Sequence, residues 1–304
     1  MKVSVFGKSN HTVNRIIPAL KKISDTDILL VTDNTIEPSS FDIEQISYKN
    51  FLHNNYVSDY IIISTHPNRH ISLLNEYFNF SNNFLIEKPI TIDPKQILDE
   101  TFEKLYENKF IDECLMYTHH PLYSKFLDIT KNSKVKKVEI EFTIPHINLD
   151  NFRYDSKIGG GPIFDLGIYP LSLCLEIISN EYTILSKESN VDKKYQLVLG
   201  NSIKIQDSFG LNVECRWKIG GDYNNIVSIT TDNTVYKFPR IFSKPNDYNS
   251  HFIINKNGNE KIEYCGVHDQ FFLMYKNYFN NKVNKDKNKE NIIRRYKLIN
   301  KIKS

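Results

Sequence analysis

Three side chains have the right types to assist the reduction of a carbonyl group: Lys88 in FLIEKPI, and Asp165 and Tyr169 in GGGPIFDLGIYPLSL. Moving a hydride to a ketone develops negative charge on its oxygen. A donor must protonate that oxygen, and a nearby cation stabilises it. A phenol has an ordinary pKa near ~10, and an ammonium at about 4–6 Å lowers it toward working pH. Asp165 and Tyr169 are four apart in sequence, so on a helix they share one face. Singly, each has a bland explanation, as a surface lysine before proline or a core tyrosine in an apolar helix. Their combined spacing is what favours a site.

A second candidate is the strand-to-helix turn at Gly7. A dinucleotide-binding turn needs glycine where the backbone bends and approaches a pyrophosphate, and the helix N-terminus then offers free N–H groups. The turn reads Gly7-Lys8-Ser9-Asn10-His11-Thr12. It keeps the first glycine of GxGxxG, with Ser9 and Thr12 at the other two positions. Ser9 and Asn10 suit either helix capping or donation to a phosphate. A β-carbon in place of glycine pushes the pyrophosphate outward or forces the backbone to adapt, so weaker cofactor binding is expected. Asp33 ends DILLVTD, 26 residues after Gly7. There it either takes the adenine ribose hydroxyls and repels a 2′-phosphate or merely starts a turn. The first role favours NAD(H) slightly over NADP(H).

The elements that must position these residues show two regimes. Up to residue 120, apolar strands (KVSVFG, DILLVTD, DYIIIST, NFLIEKP, ECLMYTH) alternate with helical segments (TVNRIIPALKKI, NRHISLLNEYFNF, PKQILDETFEKLYENK). Strands apolar on both faces, separated by amphipathic helices, imply a Rossmann-like, doubly wound parallel sheet. Lys88 then lies at the carboxyl end of a strand, where such sheets bind ligands. After His120-Pro121 come a helix (LYSKFLDITKN), an alternating strand (VKKVEIEFTIP) and an apolar helix behind the glycines at 159–161. A run of strands follows: TILSKES, YQLVLG, SIKIQDS, NVECRWKI, NIVSITTDN, TVYKFP and HFIINK. HDQFFLMYKNYFNN returns to helix. The expectation is an α/β protein: a dinucleotide-binding domain over 1–120, then an α+β domain over 121–285 with a large, mostly antiparallel sheet for substrate and oligomer contacts. A last helix over 286–304 follows.

Bulk properties narrow the function classes. The net charge is +3 over 304 residues, yet residues 282–304 carry nine Lys or Arg against two acids. Ile292, Tyr296, Ile299 and Ile302 recur there at helical spacing, so the charges read as the solvated face of an amphipathic helix. No nucleic-acid partner is expected. MKVSVFGKS turns polar too early for a signal peptide, and no apolar run approaches the roughly 20 residues that span a bilayer. Cys114, Cys174, Cys215 and Cys265 form no CxxC pair and read as reduced residues of a cytoplasmic protein. His119 and His120 are adjacent and project apart, while His146, His251 and His268 lack clustered carboxylates, so no metal is assigned.

Two longer motifs carry a family resemblance. Thr65, Pro67, Asn68 and His70 match T-P-N-x-x-H with one inserted residue, His66, and Glu87, Lys88 and Pro89 match the E-K-P that follows the next strand. Gly159, Gly160, Gly161, Asp165, Gly167 and Tyr169 match G-G-G-x-x-x-D-x-G-x-(H/Y)-P. On these residues the chain resembles the Gfo/Idh/MocA oxidoreductases. The Tyr version is similar to the branch with glucose–fructose oxidoreductase, dihydrodiol and xylose dehydrogenases and sugar 3-ketoreductases. The resemblance runs end to end, since NKENIIRRYKLINKI sits where members place a last helix packed on the first domain.

The resemblance implies an NAD(P)-dependent oxidoreductase moving a hydride between nicotinamide and a sugar or nucleotide sugar, with a 3-keto sugar reductase as one form. Tyr169 would be the general acid or base, with Lys88 orienting the nicotinamide ribose and tuning the phenol. Asp165 and Arg153 would hold substrate oxygens. Thr65, His66, Pro67, Asn68, His70, Glu87 and Lys88 would face the cofactor. Members pair through second-domain sheets, which implies a homodimer or homotetramer. The rivals are a pyranose or dihydrodiol-type dehydrogenase and a non-catalytic scaffold with a degenerate cofactor site.

Overall fold

The computed structural model describes residues 1–33, 42–155, 157–195 and 197–303. Ser156, Gln196 and Ser304, which fall inside segments discussed above, lie outside it.

Strands β1 (Lys2–Phe6), β2 (Asp27–Val31), β3 (Glu44–Ile46), β4 (Tyr60–Ile63), β5 (Asn83–Glu87) and β6 (Phe110–Cys114) form one sheet in the order β3-β2-β1-β4-β5-β6. All its pairings are parallel. Ile61, Ile62, Ile63, Phe84, Leu85 and Ile86 are fully buried, as expected of strands covered on both faces. The strand order reverses direction between β1 and β4. Gly7, Ser64 and Lys88 therefore emerge at one edge, on either side of a topological switch point.

Strands β7 (Lys137–Ile144), β8 (Tyr182–Asp192), β9 (Leu197–Asp207), β10 (Asn212–Ile219), β11 (Asn224–Thr230), β12 (Thr234–Pro239), β13 (Asn249–Lys256) and β14 (Asn259–Val267) form the second sheet. Its order is β14-β13-β12-β11-β7-β10-β9-β8. Only β7 and β10 run parallel. Val138, Ile140, Phe142, Val227 and Ile229 point to the buried face, with half-exposed residues between them. The helix Ile168–Ile177 packs on that face through β7 and β10.

Several elements differ from the sequence expectations. ECLMYTH is not one strand, because β6 ends at Cys114 and Met116–His119 makes a tight helical turn. The true strand begins earlier, at Phe110, and contains Asp112 as well as Glu113. Both are buried because they are satisfied. Tyr278 Oη donates to Asp112 at 2.8 Å, and Ile90 N and Tyr296 Oη donate to Glu113 at 2.9 and 2.8 Å. The helix expected over 94–109 is interrupted at Asp99, whose carboxylate accepts from Thr101 N at 2.8 Å and caps a new helix, Glu100–Asn108. YQLVLG and SIKIQDS merge into β9. β14 escaped notice because it is polar and lies on the sheet's edge, where most of its side chains are exposed.

The helix Lys285–Lys303 buries Ile292, Tyr296, Leu298, Ile299 and Ile302 against β6 and the helix Ile168–Ile177. Arg295 sits in the middle of this contact. Its guanidinium lies 2.6 Å from Glu113 and donates to Ser172 Oγ at 2.8 Å. One buried cation thus ties the helix bearing Tyr169 to the strand that holds Ile90, two residues after Lys88. No described helix is long and apolar enough to cross a membrane.

Arg295→Met would leave Glu113 buried and uncompensated. The expected cost is about 3–5 kcal/mol, read by urea unfolding, with part of it recovered in the Arg295→Met/Glu113→Gln double variant.

Candidate active site

The carboxyl ends of β1, β4 and β5 open into a cleft of about 700 Å³, closed on its far side by residues 151–153, 159, 164–165, 169 and 243–244. At its first-sheet end, Gly7 has φ +104°, and a Cβ there would lie 2.5 Å from Ser64 O. This is a position where glycine is required. The other two glycines are replaced by a small hydroxyl network. Ser9 Oγ accepts from Thr12 N at 3.0 Å, and Thr12 Oγ1 donates to Ser64 Oγ at 3.0 Å. Ser9 thereby caps the helical turn that begins at Asn10, and the hydroxyls bind the turn to the end of β4.

The other end of the cleft holds the pair on which the sequence argument rested. Lys88 Nζ donates to the main-chain oxygen of Asp165 at 2.7 Å and to Asp165 Oδ1 at 3.0 Å. Arg153 Nε approaches Asp165 Oδ2 at 3.0 Å. Lys88 Nζ also lies 5.2 Å from the centroid of the Tyr169 ring. Asp165 and Tyr169 are displayed side by side by a helical turn (Ile163–Gly167) that runs into Ile168–Ile177. The glycines before it permit this approach, since Gly159 has φ +106° and packs so closely on Pro67 that a Cβ would lie 2.5 Å from Pro67 Cβ. Two motifs far apart in sequence are in this way seated on each other.

Tyr169 is packed among Tyr117, Phe142 and Phe242. Its hydroxyl makes a long contact to Met116 Sδ, 3.8 Å. Burial pushes its pKa well above the ordinary value, and the carboxylates of Glu87 and Asp165 push the same way. This corrects the expected lowering by Lys88. The ammonium is already paired with Asp165, so it does not act as a free positive charge on the phenol.

Gly7, Ser9, Asn10, Asp33, Thr65, His66, Pro67, Glu87, Lys88, Arg153, Asp165 and Tyr169 all line the cleft. Thr12, Asn68 and His70 do not. Thr12 is fully buried in the hydroxyl network, and Asn68 is exposed. His70 sits between the carbonyls of Pro89 and Thr65, 2.8 and 3.1 Å from its ring nitrogens, and, since burial lowers its pKa, donates its one N–H to one of them. Its place is beneath the two motifs, holding them together. Asp33 Oδ1 accepts from Tyr48 N at 3.2 Å.

Sequence reasoning missed Arg15, Tyr48, Arg69, Lys244, Gln270 and Phe271, which also line the cleft. Lys244 comes from the loop after β12 and Gln270 from the first turn of the helix Gln270–Phe279, and nothing in their spacing marks them. Arg69 stands inside the T-P-N-x-x-H segment and could have been found there.

The architecture defines a two-part α/β protein, a parallel nucleotide-type sheet joined to a large mixed sheet, with a cleft between. No protein-family model matches the chain. It is similar to dTDP-3,4-didehydro-2,6-dideoxy-alpha-D-glucose 3-reductases, at 19% identity to that of Saccharopolyspora spinosa over 85% of this chain and 80% of the relative. To that of Actinomadura kijaniata it is 20% identical, over 89% and 84%. Among solved structures, KijD10, a 3-ketoreductase from Actinomadura kijaniata in complex with NADP and TDP-benzene, superposes with TM-score 0.88. The identity is 18%, covering 100% of this chain and 97% of that one. Aldose-aldose oxidoreductase from Caulobacter crescentus superposes with TM-score 0.85 at 12% identity, covering 100% and 96%. The likeness to these structures establishes the fold.

Asp165→Ala would strand Lys88 and Arg153 without their shared counter-ion. The expected loss is roughly 1–3 kcal/mol in chemical unfolding. A variant as stable as the parent would show that the triad contributes nothing to holding the two halves together.

Proposed function

We propose that this chain is a nicotinamide-dependent oxidoreductase of the Gfo/Idh/MocA type that reduces a carbonyl group on a nucleotide-linked sugar. The observation that carries this reading is the meeting of Lys88 and Tyr169 in one cleft, with the Gly7 turn at its other end. The curated relatives' names, which specify reduction of a dTDP-linked keto sugar, support the substrate class.

The cleft fits a dinucleotide. Its Gly7 corner is open only because no Cβ occupies it, and the helix start at Ser9 and Asn10 faces the same space. The turn would hold the pyrophosphate, Asp33, Tyr48 and Arg69 the adenosine end, and Glu87 and Lys88 the nicotinamide end. The reduced nicotinamide, when bound, supplies the hydride that goes to the carbonyl carbon.

Tyr169 then gives its phenolic proton to the carbonyl oxygen. Its raised pKa means that the proton is present in the free site, available to the oxygen as charge develops there. Lys88 stabilises the oxygen as it gains charge. Asp165 holds the ammonium in place and, with Arg153, is positioned to bind sugar hydroxyls.

The adenosine end speaks to cofactor choice. Asp33 is engaged by Tyr48 N, while Arg69 lies over the Tyr48 ring, 5.3 Å from its centroid. An arginine beside this position accommodates a 2′-phosphate. We assign NADPH as an accepted cofactor beside NADH, against the slight preference for NADH that Asp33 alone suggested.

Tyr169→Phe should lower kcat by about 10²–10⁴-fold, in stopped-flow reduction of a dTDP-linked keto sugar. The dissociation constant for NADPH should stay within about twofold, since the hydroxyl is absent from the proposed nucleotide contacts. Full turnover in that variant removes the role from Tyr169. Arg69→Ala should weaken NADPH about tenfold and leave NADH unchanged, as measured by fluorescence titration. Equal losses for both would dissociate Arg69 from the 2′-phosphate.

A further inference from the structure

The second half contributes a cation to the cleft that the mechanism above does not use. Lys244 lies in the loop after β12, is 4% exposed, and lines the cleft. Its Nζ donates to Ile241 O at 3.1 Å and to Gln270 Oε1 at 3.0 Å, both neutral acceptors. No carboxylate stands beside it among the described residues, and burial alone drives its pKa down to about 7. The titratable group facing it is His120, whose ring packs 5.6 Å from that of His268 and which is held far below its ordinary pKa by burial, with Lys244 pushing the same way.

The loop that carries Lys244 is fastened to the first helix. Arg15 Nη1 donates to Asn246 Oδ1 at 3.3 Å, Phe271 packs on the His11 ring at 5.2 Å, and Lys22 pairs with Asp269 at 2.5 Å. Lys244 therefore sits where the second half closes against the helix that begins at the Gly7 turn. Asp269 pairs with Lys22, and Glu87 Oε1 lies 3.4 Å from His11 Nε2.

A buried ammonium without a counter-ion is costly, and an anionic ligand removes that cost. The turn across from it has side chains at two positions where glycines would open the backbone to phosphate. A cation on the opposite wall makes up for that loss. We propose that Lys244 forms, together with the 7–12 turn, an anion site that takes one phosphate of the bound ligand. This rests on the functional reading above and extends it. Two ligands bring that chemistry, the pyrophosphate of the cofactor and the diphosphate of a nucleotide sugar.

Because Lys244 is largely neutral at pH 8 and charged in the complex, binding takes up a proton. Calorimetric titration at pH 8, in two buffers of different ionisation enthalpy, reads this with NADH and with thymidine diphosphate as separate probes. The expected result is uptake of close to one proton with one of the two, which identifies the source of the phosphate. Affinity for that probe should fall about tenfold per pH unit between roughly pH 7.5 and 9. Lys244→Met should weaken it about 10- to 100-fold and abolish the uptake. Lys244→Arg, already charged, should bind within a few-fold of the parent with no uptake and no pH slope.

Uptake that persists in Lys244→Arg would come from His120, His268 or His11 and would overturn the proposal. So would a folded Lys244→Met protein that binds both probes as the parent does. A parent protein that binds neither probe defeats the functional reading as well, whereas binding of either without any response at position 244 defeats this inference alone.

Discussion

The contact between Lys88 and Asp165 is the constraint on which this structure turns. It joins the end of a parallel strand in one sheet to a helical turn on the other, through two short hydrogen bonds from one ammonium. A lysine alone has no reason to stop at one orientation, because its stem is flexible and its head is strongly hydrated. Here it is directed by a main-chain oxygen and a carboxylate together, and Arg153 balances the second carboxylate oxygen. The consequence is that a cation and a phenol from opposite halves border the same space.

That arrangement is supported from behind as well as within. Glu113 accepts from Ile90 N, just past Lys88, and pairs with Arg295, which reaches Ser172, three residues after Tyr169. His70 packs between the T-P-N-x-x-H segment and Pro89, its ring nitrogens facing the carbonyls of Thr65 and Pro89. These buried polar groups are tolerated because each finds partners. They set the spacing of the cleft walls more tightly than apolar packing alone, which is less directional.

The environment of Tyr169 decides how the site works. An ammonium near a phenol suggests an acidified tyrosine, yet the same ammonium is neutralised by its carboxylate partner, and the apolar ring cluster disfavours a phenolate. The phenol therefore keeps its proton in the free site. A scaffold with a decayed site is the weaker account, since Lys88, Asp165 and Tyr169 have kept their mutual geometry as well as their identities.

What was legible in the sequence was whatever periodicity and local spacing control. The doubly wound first half, the strand-rich second half, the glycine turn, the E-K-P lysine and the Asp-to-Tyr spacing follow from short-range pattern, because strand burial and helical phase are local properties. The apolar positions Ile292, Tyr296, Ile299 and Ile302 likewise announced a helix that buries one face. Asp112, left outside the expected strand, was not legible, since a charged residue reads as unfit for a buried strand until Tyr278 arrives from the far end of the chain to satisfy it. The same holds for Lys244, an unremarkable loop residue until folding removes it from water and leaves it without a counter-ion. Only the tertiary structure decided these points, because desolvation and pairing depend on which distant groups share a volume, and no local pattern encodes that.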